Sequence, residues 1–149
     1  MAVKAIPDGY HSVIPYLVVD GASRLVDFLK NTFEGQEAFR MPMPGGTIGH
    51  AEVRVGDSVI MLADATDEHR ATQANIMVYV SDVDAAYQRA LKAGAASLQE
   101  PTNQFYGDRS ARMRDPFGNL WTIATHIEDV SPAEMEERLR ALAQAGGHN

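Results

Sequence analysis

Apolar and polar residues alternate most cleanly between His50 and Val55. Ala51, Val53 and Val55 fall on one parity and His50, Glu52 and Arg54 on the other, as in a strand with one buried face. Gly56-Asp57 follows, a two-residue signal for a type II′ hairpin. That turn predicts a register with Val55 opposite Ser58, Arg54 opposite Val59, Glu52 opposite Met61 and His50 opposite Ala63. Opposed residues share a face. One face therefore carries His50, Glu52, Arg54, Val59, Met61 and Ala63, and the other carries Ala51, Val53, Val55, Ile60 and Leu62. The wholly apolar set is expected to meet helices. The mixed set is left to line a cavity or to face solvent.

The same order of signals occurs twice, from Ser12 to Asp64 and from Ala74 to His126. Each copy opens with an apolar strand, near Val13–Val19 and near Asn75–Val80, where Pro15 suggests an edge. A helix follows in each, about Ala22–Phe33 after the turn Asp20-Gly21, and then a second to about Ala93 with Ser81 or Asp82 as its cap. Leu25, Phe28 and Leu29 make the apolar face of the first, and Ala86, Ala90 and Leu91 that of the second. The stretch MPMPGGTIG reads as a loop that no regular element crosses, and Ala96–Gly107 reads as another. The second hairpin turns at DPFG, as a type I turn prefers. This predicts that Arg109, Ala111, Met113, Leu120, Thr122 and Ala124 share its inner face, with His126 on the parity of Thr122 and with Trp121 and Ile123 turned to the core. Residues 1–11 read as a mobile lead-in and 64–74 as a polar linker. A last helix, about 132–144, opens with Ser131 as cap and Pro132 at its first position, with Glu134 completing a capping box. Its stripe of Met135, Leu139 and Leu142 is expected to pack on the domain or on a partner.

Composition narrows the function. The 149 residues suffice for one domain, with no internal boundary implied. No apolar run is long enough for a membrane span and no signal peptide is recognisable at the start, so a cytoplasmic location is expected. The absence of cysteine excludes thiol catalysis, disulfides and thiolate metal sites. A formal charge of −7 disfavours nucleic acid and anionic membranes. No phosphate loop, dinucleotide fingerprint or Ser-His-Asp order is present, and GDSVIM lies in a tight hairpin, not in a nucleophile elbow.

The paired units, together with GHAEVRVGDSVIMLAD, QFYGDRS, RDPFGNLWTIATH and EDVSPAEM, resemble the vicinal oxygen chelate superfamily. That group contains glyoxalase I, extradiol dioxygenases, and fosfomycin- and bleomycin-resistance proteins. Within it the chain is most similar to the PhnB-like branch, from Val13 to about Leu142. The resemblance implies an α+β fold of two βαβββ modules forming an open cup-shaped sheet plus the C-terminal helix, with a small-molecule ligand inside and often a homodimer. It also implies a divalent metal on four inward side chains, two per module. The matching positions here are Ile14, Met61, Asn75 and Thr122. An alkyl group and a thioether do not ligate such ions, and an amide and a hydroxyl do so weakly, so no metal and no other cofactor is expected.

Among the remaining polar residues, Glu52 faces the vacated metal position. It is either a general base or a ligand of a relocated ion with His50 and His126, or else a carboxylate neutralised by Arg54 or simply solvated. His50 either binds a ligand or satisfies a loop carbonyl. Arg109 either clamps a carbonyl or anionic group or caps its strand with Asp108. His11, His69 and His148 are assigned no role. The candidate ligand site is accordingly His50, Glu52, Met61, Tyr106, Arg109 and Thr122. The expected function is binding of a small, largely apolar molecule, as in drug-sequestering resistance proteins. The alternative is a lyase, isomerase or dioxygenase that uses a relocated metal or Glu52 as base.

Overall fold

The alternation decides which face of each sheet is buried. In the computed structural model, which describes residues 2–146, each half of the chain forms one β-α-β-β-β unit. The first contains β1 (Tyr16–Val19), α1 (Ala22–Phe33), β2 (Gln36–Pro42), β3 (Ile48–Val55) and β4 (Ser58–Asp64). The second contains β5 (Asn75–Tyr79), α2 (Val83–Lys92), β6 (Ala96–Asn103), β7 (Asp108–Arg114) and β8 (Leu120–His126), and α3 (Pro132–Gly146) follows. The strands form two four-stranded sheets, ordered β1-β4-β3-β2 and β5-β8-β7-β6. In each, the first strand runs parallel to the last and the hairpin strands are antiparallel.

The first hairpin has the register that its turn predicts. Val55 pairs with Ser58 and Glu52 with Met61, and Gly56 supplies the positive φ of 56° that the first turn position needs. Ala51, Val53, Ile60 and Leu62 are buried with Leu17 and Val19 from β1. They meet Leu25, Val26, Phe28 and Leu29 of α1. Ala111, Met113, Trp121 and Ile123 do the same in the second unit, and all of these residues belong to one core. Trp121 joins the halves, with its ring centroid 6.3 Å from Phe28 and 5.2 Å from Phe33. Arg89 Nε of α2 also donates to the Thr32 carbonyl of α1 at 3.0 Å. The inner face of each sheet is thus turned away from the helices.

Helix α1 starts without a cap of its own: Gly21 is left-handed and no side chain of its segment serves its first turn. Asp64, at the end of β4, replaces it. Its Oδ1 accepts from the Gly21 and Ala22 amides at 2.9 Å each, and its Oδ2 from the Ile48 amide at 2.7 Å. A carboxylate against a helix N-terminus is favourable by charge as well as by hydrogen bonding. The helix ends at Glu34, left-handed at φ 56°. In α2, Asp82 accepts from the Ala85 amide and is the cap.

Two expectations from the residues alone are corrected. The second stretch read as a loop contains β6, and the first takes in the end of β2 at Met41 and Pro42; these are the extra strands that the resemblance implied. Both lie at sheet edges, both have register shifts, and each carries a proline, Pro42 and Pro101. An edge strand needs only one row of ladder bonds, so proline and bulges are tolerated there. Second, the register of the second hairpin is displaced by one residue: Arg112 pairs with Thr122, Ser110 with Ala124 and Asp108 with His126. The cause is the turn. Gly118 donates to Asp115 O at 3.2 Å and is left-handed at φ 90°, while Asp115 and Asn119 already pair. This is a three-residue loop with a glycine bulge. Arg109, Ala111 and Met113 therefore turn to the helix side, and Asp108, Ser110 and Arg112 take the inner face with Thr122. Of the two surfaces expected for the stripe of α3, this domain does not supply one, because the helix buries none of its residues against the described chain. It is held by polar contacts: Ser131 caps Glu134 N, and Arg138 bonds Glu128, Glu134 and the Phe105 carbonyl. His148 lies outside the described residues.

Candidate functional site

Strand parity brings Tyr16 and Val18 of β1, His50 and Glu52 of β3, and Met61 and Ala63 of β4 to the inner face of the first sheet. Strand β2 adds Phe39 opposite Glu52 and Met41 opposite His50. At one end of this face a cavity of about 680 Å³ is lined chiefly by Tyr16, Val18, Met41, Met43, Ile48 and Ala63. Asp64, Thr66 and His69 supply polar groups at its margin. Its size is that of a pocket for a drug-like molecule. The two methionines are polarizable, unbranched and able to fit irregular aromatic surfaces.

A chain of hydrogen bonds adjoins the cavity. Tyr16, a cavity wall, donates through its hydroxyl to His50 Nδ1 at 3.0 Å. His50 Nε2 contacts Glu52 Oε2 at 2.9 Å, and the hydroxyl of Tyr10 donates to Glu52 Oε1. An ionised carboxylate only accepts, so the proton belongs on His50 Nε2 and Nδ1 is left to receive Tyr16. The imidazole lies between two aromatic rings, 5.6 Å from Tyr16 and 6.0 Å from Phe39. Glu52, only 12% exposed, has its pKa lowered, first by the Tyr10 bond and then by His50, against burial acting in the other direction. Asp64 is also lowered: burial pushes it up, but three backbone N–H donors outweigh that.

Tyr10 arrives on the segment read as a lead-in, of which residues within 5–12 line a pocket with this face. Arg54 donates to the Gly9 carbonyl at 3.3 Å and His11 Nε2 contacts the Asp57 carbonyl at 2.8 Å. Beneath the segment is a pocket of about 480 Å³ whose sheet side is Ile14, Glu52 and Met61. Arg54 thus serves the segment's backbone; the partners of Glu52 are Tyr10 and His50.

Of the six site residues predicted, His50, Glu52 and Met61 come together. Thr122 is on the inner face of the other sheet. Tyr106 packs edge-on against Phe105 in the β6–β7 loop. Arg109 leaves the inner face with its strand and forks onto Asp84 of α2 at 2.8 and 2.9 Å. None of these three lines either pocket beside Glu52. The residues that the sequence reading missed are Tyr10, Tyr16, Met41, Met43 and His69. Phe39, Met41 and Met43 do alternate in the sequence, a signal hidden by Pro42 and Pro44.

A second polar cluster lies on the other sheet. Buried Asp108 accepts from the Tyr79 hydroxyl at 2.7 Å and contacts His126 Nδ1 at 2.8 Å, while His126 Nε2 meets Asp129 at 2.7 Å. Two carboxylates on one imidazole raise its pKa, Asp129 first and then Asp108. Asp129 is fully exposed, so solvent screens its share and the buried Asp108 is the firmer partner. His126 is therefore engaged away from His50 and Glu52, and the relocated three-residue metal site is not assembled. Among the described residues no group of three His, Asp or Glu side chains is placed to hold an ion.

The four metal positions that the resemblance implied also lack suitable donors. Across from Met61 stands Tyr16, and across from Thr122 stands Met77, two residues beyond Ile14 and Asn75 in each strand. Neither pairing offers an imidazole or a carboxylate, so these positions do not fit a divalent ion.

The sequence profile of the Glyoxalase/Bleomycin resistance protein/Dioxygenase superfamily matches residues 10–123. Uncharacterized protein Mb0911c of Mycobacterium bovis is 33% identical over 98% of this chain and 99% of its own. Among solved structures, TioX from Micromonospora sp. ML1 superposes with a TM-score of 0.67 at 28% identity, covering 78% of this chain and 99% of TioX. TnmS3, an antibiotic binding protein from Streptomyces sp. CB03234, shares the fold with a TM-score of 0.61 at 22% identity, over 85% of this chain and 98% of its own. The duplicated β-α-β-β-β unit and the profile agree: this chain belongs to the glyoxalase/bleomycin resistance/dioxygenase superfamily.

Proposed function

We propose that this protein binds and sequesters a small, largely apolar molecule on the inner face of its first sheet, without a metal. The observation that carries the reading is the cavity of about 680 Å³ walled by Tyr16, Val18, Met41 and Met43, with a polar network at one end. Apolar walls supply affinity and a few fixed polar groups supply orientation. The antibiotic-binding role of TnmS3 is consistent with such a use. The sequence motifs support a reading of the chain as one of the PhnB-like branch. Against the enzyme alternative stand the partners of Glu52: Tyr10 and His50 occupy both carboxylate oxygens and lower its pKa, away from the range that best suits a general base.

The functional unit is a homodimer. Both inner faces carry exposed apolar side chains, Tyr16, Phe39 and Met41 on one sheet and Met77 and Tyr79 on the other. Patches of this kind are the usual material of interfaces. A cavity-filling variant tests the binding reading. By calorimetry with a panel of two- and three-ring aromatic compounds, the wild-type protein is expected to bind at least one. Val18→Phe should weaken that binding by about tenfold or more, some 1.4 kcal/mol, with the melting temperature retained. Absence of binding to the whole panel, or unchanged affinity in Val18→Phe, overturns the reading.

A further inference from the structure

The carboxylate of Glu52 is satisfied in two unequal ways. His50, a neighbour on the same strand and face, holds Oε2 and is itself oriented by Tyr16. Oε1 is held by Tyr10, which belongs to no strand and is carried by a segment with few ties to the sheet: the Gly9 carbonyl to Arg54 and His11 to the Asp57 carbonyl. The sheet alone therefore presents a fixed acceptor with one oxygen open, beside the apolar Ile14 and Met61. A part-buried carboxylate left without that donor is costly. What fills the position now is a phenol, whose residue lines the same pocket as Ile14 and Met61.

We propose that Tyr10 is a built-in surrogate for the ligand, and that the subsite on Glu52 takes a phenolic hydroxyl borne on an aromatic ring system. The inference rests on the binding reading above and adds the chemical class. A phenol is a stronger donor to a carboxylate than an alcohol or water, and the bond gains from the charge on the acceptor. Met61 and Ile14 receive the ring, and the methyl ether of the same compound has no proton to give. The guest must displace Tyr10, so wild-type affinity is reduced by the fraction of molecules in which the segment is open.

Calorimetry with 2-naphthol and 2-methoxynaphthalene at pH 7, on the wild-type protein, Tyr10→Phe and the double variant Tyr10→Phe/Glu52→Leu, decides it. Tyr10→Phe is expected to bind 2-naphthol about tenfold more tightly than wild type does, the size of one charge-assisted hydrogen bond. Its affinity for the methyl ether should move by less than about threefold, and the double variant should lose the preference for naphthol. As a second readout on unmutated protein, saturating 2-naphthol should move the Tyr10 ring resonances toward those of an exposed tyrosine. If both compounds bind equally to Tyr10→Phe, or if naphthol leaves Tyr10 in place, the phenol subsite is wrong while the binding reading stands. If neither compound binds any variant, the phenol subsite falls, and the wider aromatic panel alone decides the binding reading.

Discussion

Glu52 and Val53 are adjacent in sequence and opposite in consequence. Val53 is fully buried under α1, so Val53→Ala should lower stability by about 1–3 kcal/mol in urea denaturation, through lost packing. Glu52→Gln keeps an acceptor and a similar shape, and should cost less than about 1 kcal/mol while changing ligand affinity. Their pH behaviour separates them further. The pKa values of Glu52 and Asp64 are both lowered in the folded chain. Such groups stabilise the fold fully above their unfolded-state pKa, and the contribution is lost as pH falls through the lower folded value. Denaturation midpoints should therefore drop on acidification through the carboxylate range, and Glu52→Gln or Asp64→Asn should flatten that drop. Asp64→Ala, which removes the acceptor for three amides, should cost about 2 kcal/mol at neutral pH.

At the scale of elements, the two hairpins differ through one glycine. Gly118 adopts a conformation that costs other residues about 1–2 kcal/mol, and Gly118→Ala should destabilise by that amount in thermal or urea unfolding. That residue also explains what the sequence concealed. The first hairpin was legible because Gly56-Asp57 permits one register, and α1 and α2 were legible from their apolar spacing. In the second hairpin a four-residue turn motif hides a three-residue loop, which sent Arg109 to the wrong face. Strands β2 and β6 have one exposed edge and little burial, so β6 has no apolar alternation and that of β2 is short and interrupted by proline. Half of the candidate site was therefore legible. The Tyr10 contact is long-range and has no local signal at all. The end of β8 has its own pH response. The pKa of His126 is raised by Asp129 and Asp108, so this contact is fully present below the unfolded histidine pKa and is lost as pH rises through the higher folded value. Titration of the His126 ring by NMR should give a midpoint above that of a free histidine, and Asp108→Asn should bring it down. Amide exchange of residues 127–131 should quicken over the same range, beyond the intrinsic base catalysis.

For the whole molecule, two measurements carry the proposals. Sedimentation at micromolar concentration should give the mass of a dimer, and Phe39→Glu or Met77→Glu on the inner faces should shift it toward monomer. A monomeric wild-type protein would count against the homodimer. Elemental analysis after dialysis should find no stoichiometric zinc, nickel, manganese or iron. About one ion per chain, removable by chelator with loss of stability, would refute the metal-free reading.

The irregular outer strands have a further consequence, for the fate of the protein at high concentration. An edge strand with free amides and carbonyls is a template on which another chain can extend the sheet, the first step toward fibres. Pro42 lacks the amide for such an extension at the end of β2, Pro101 lacks it within β6, and the register shifts twist both edges out of line. On the other flank, the linker returns to donate from Thr72 N to the Val18 carbonyl of β1. Strand β5 has no such proline, bulge or returning linker. Crowding and partial unfolding should therefore recruit β5 first, and a lysine in place of Met77 would protect the chain from fibrillation as well as from dimerisation.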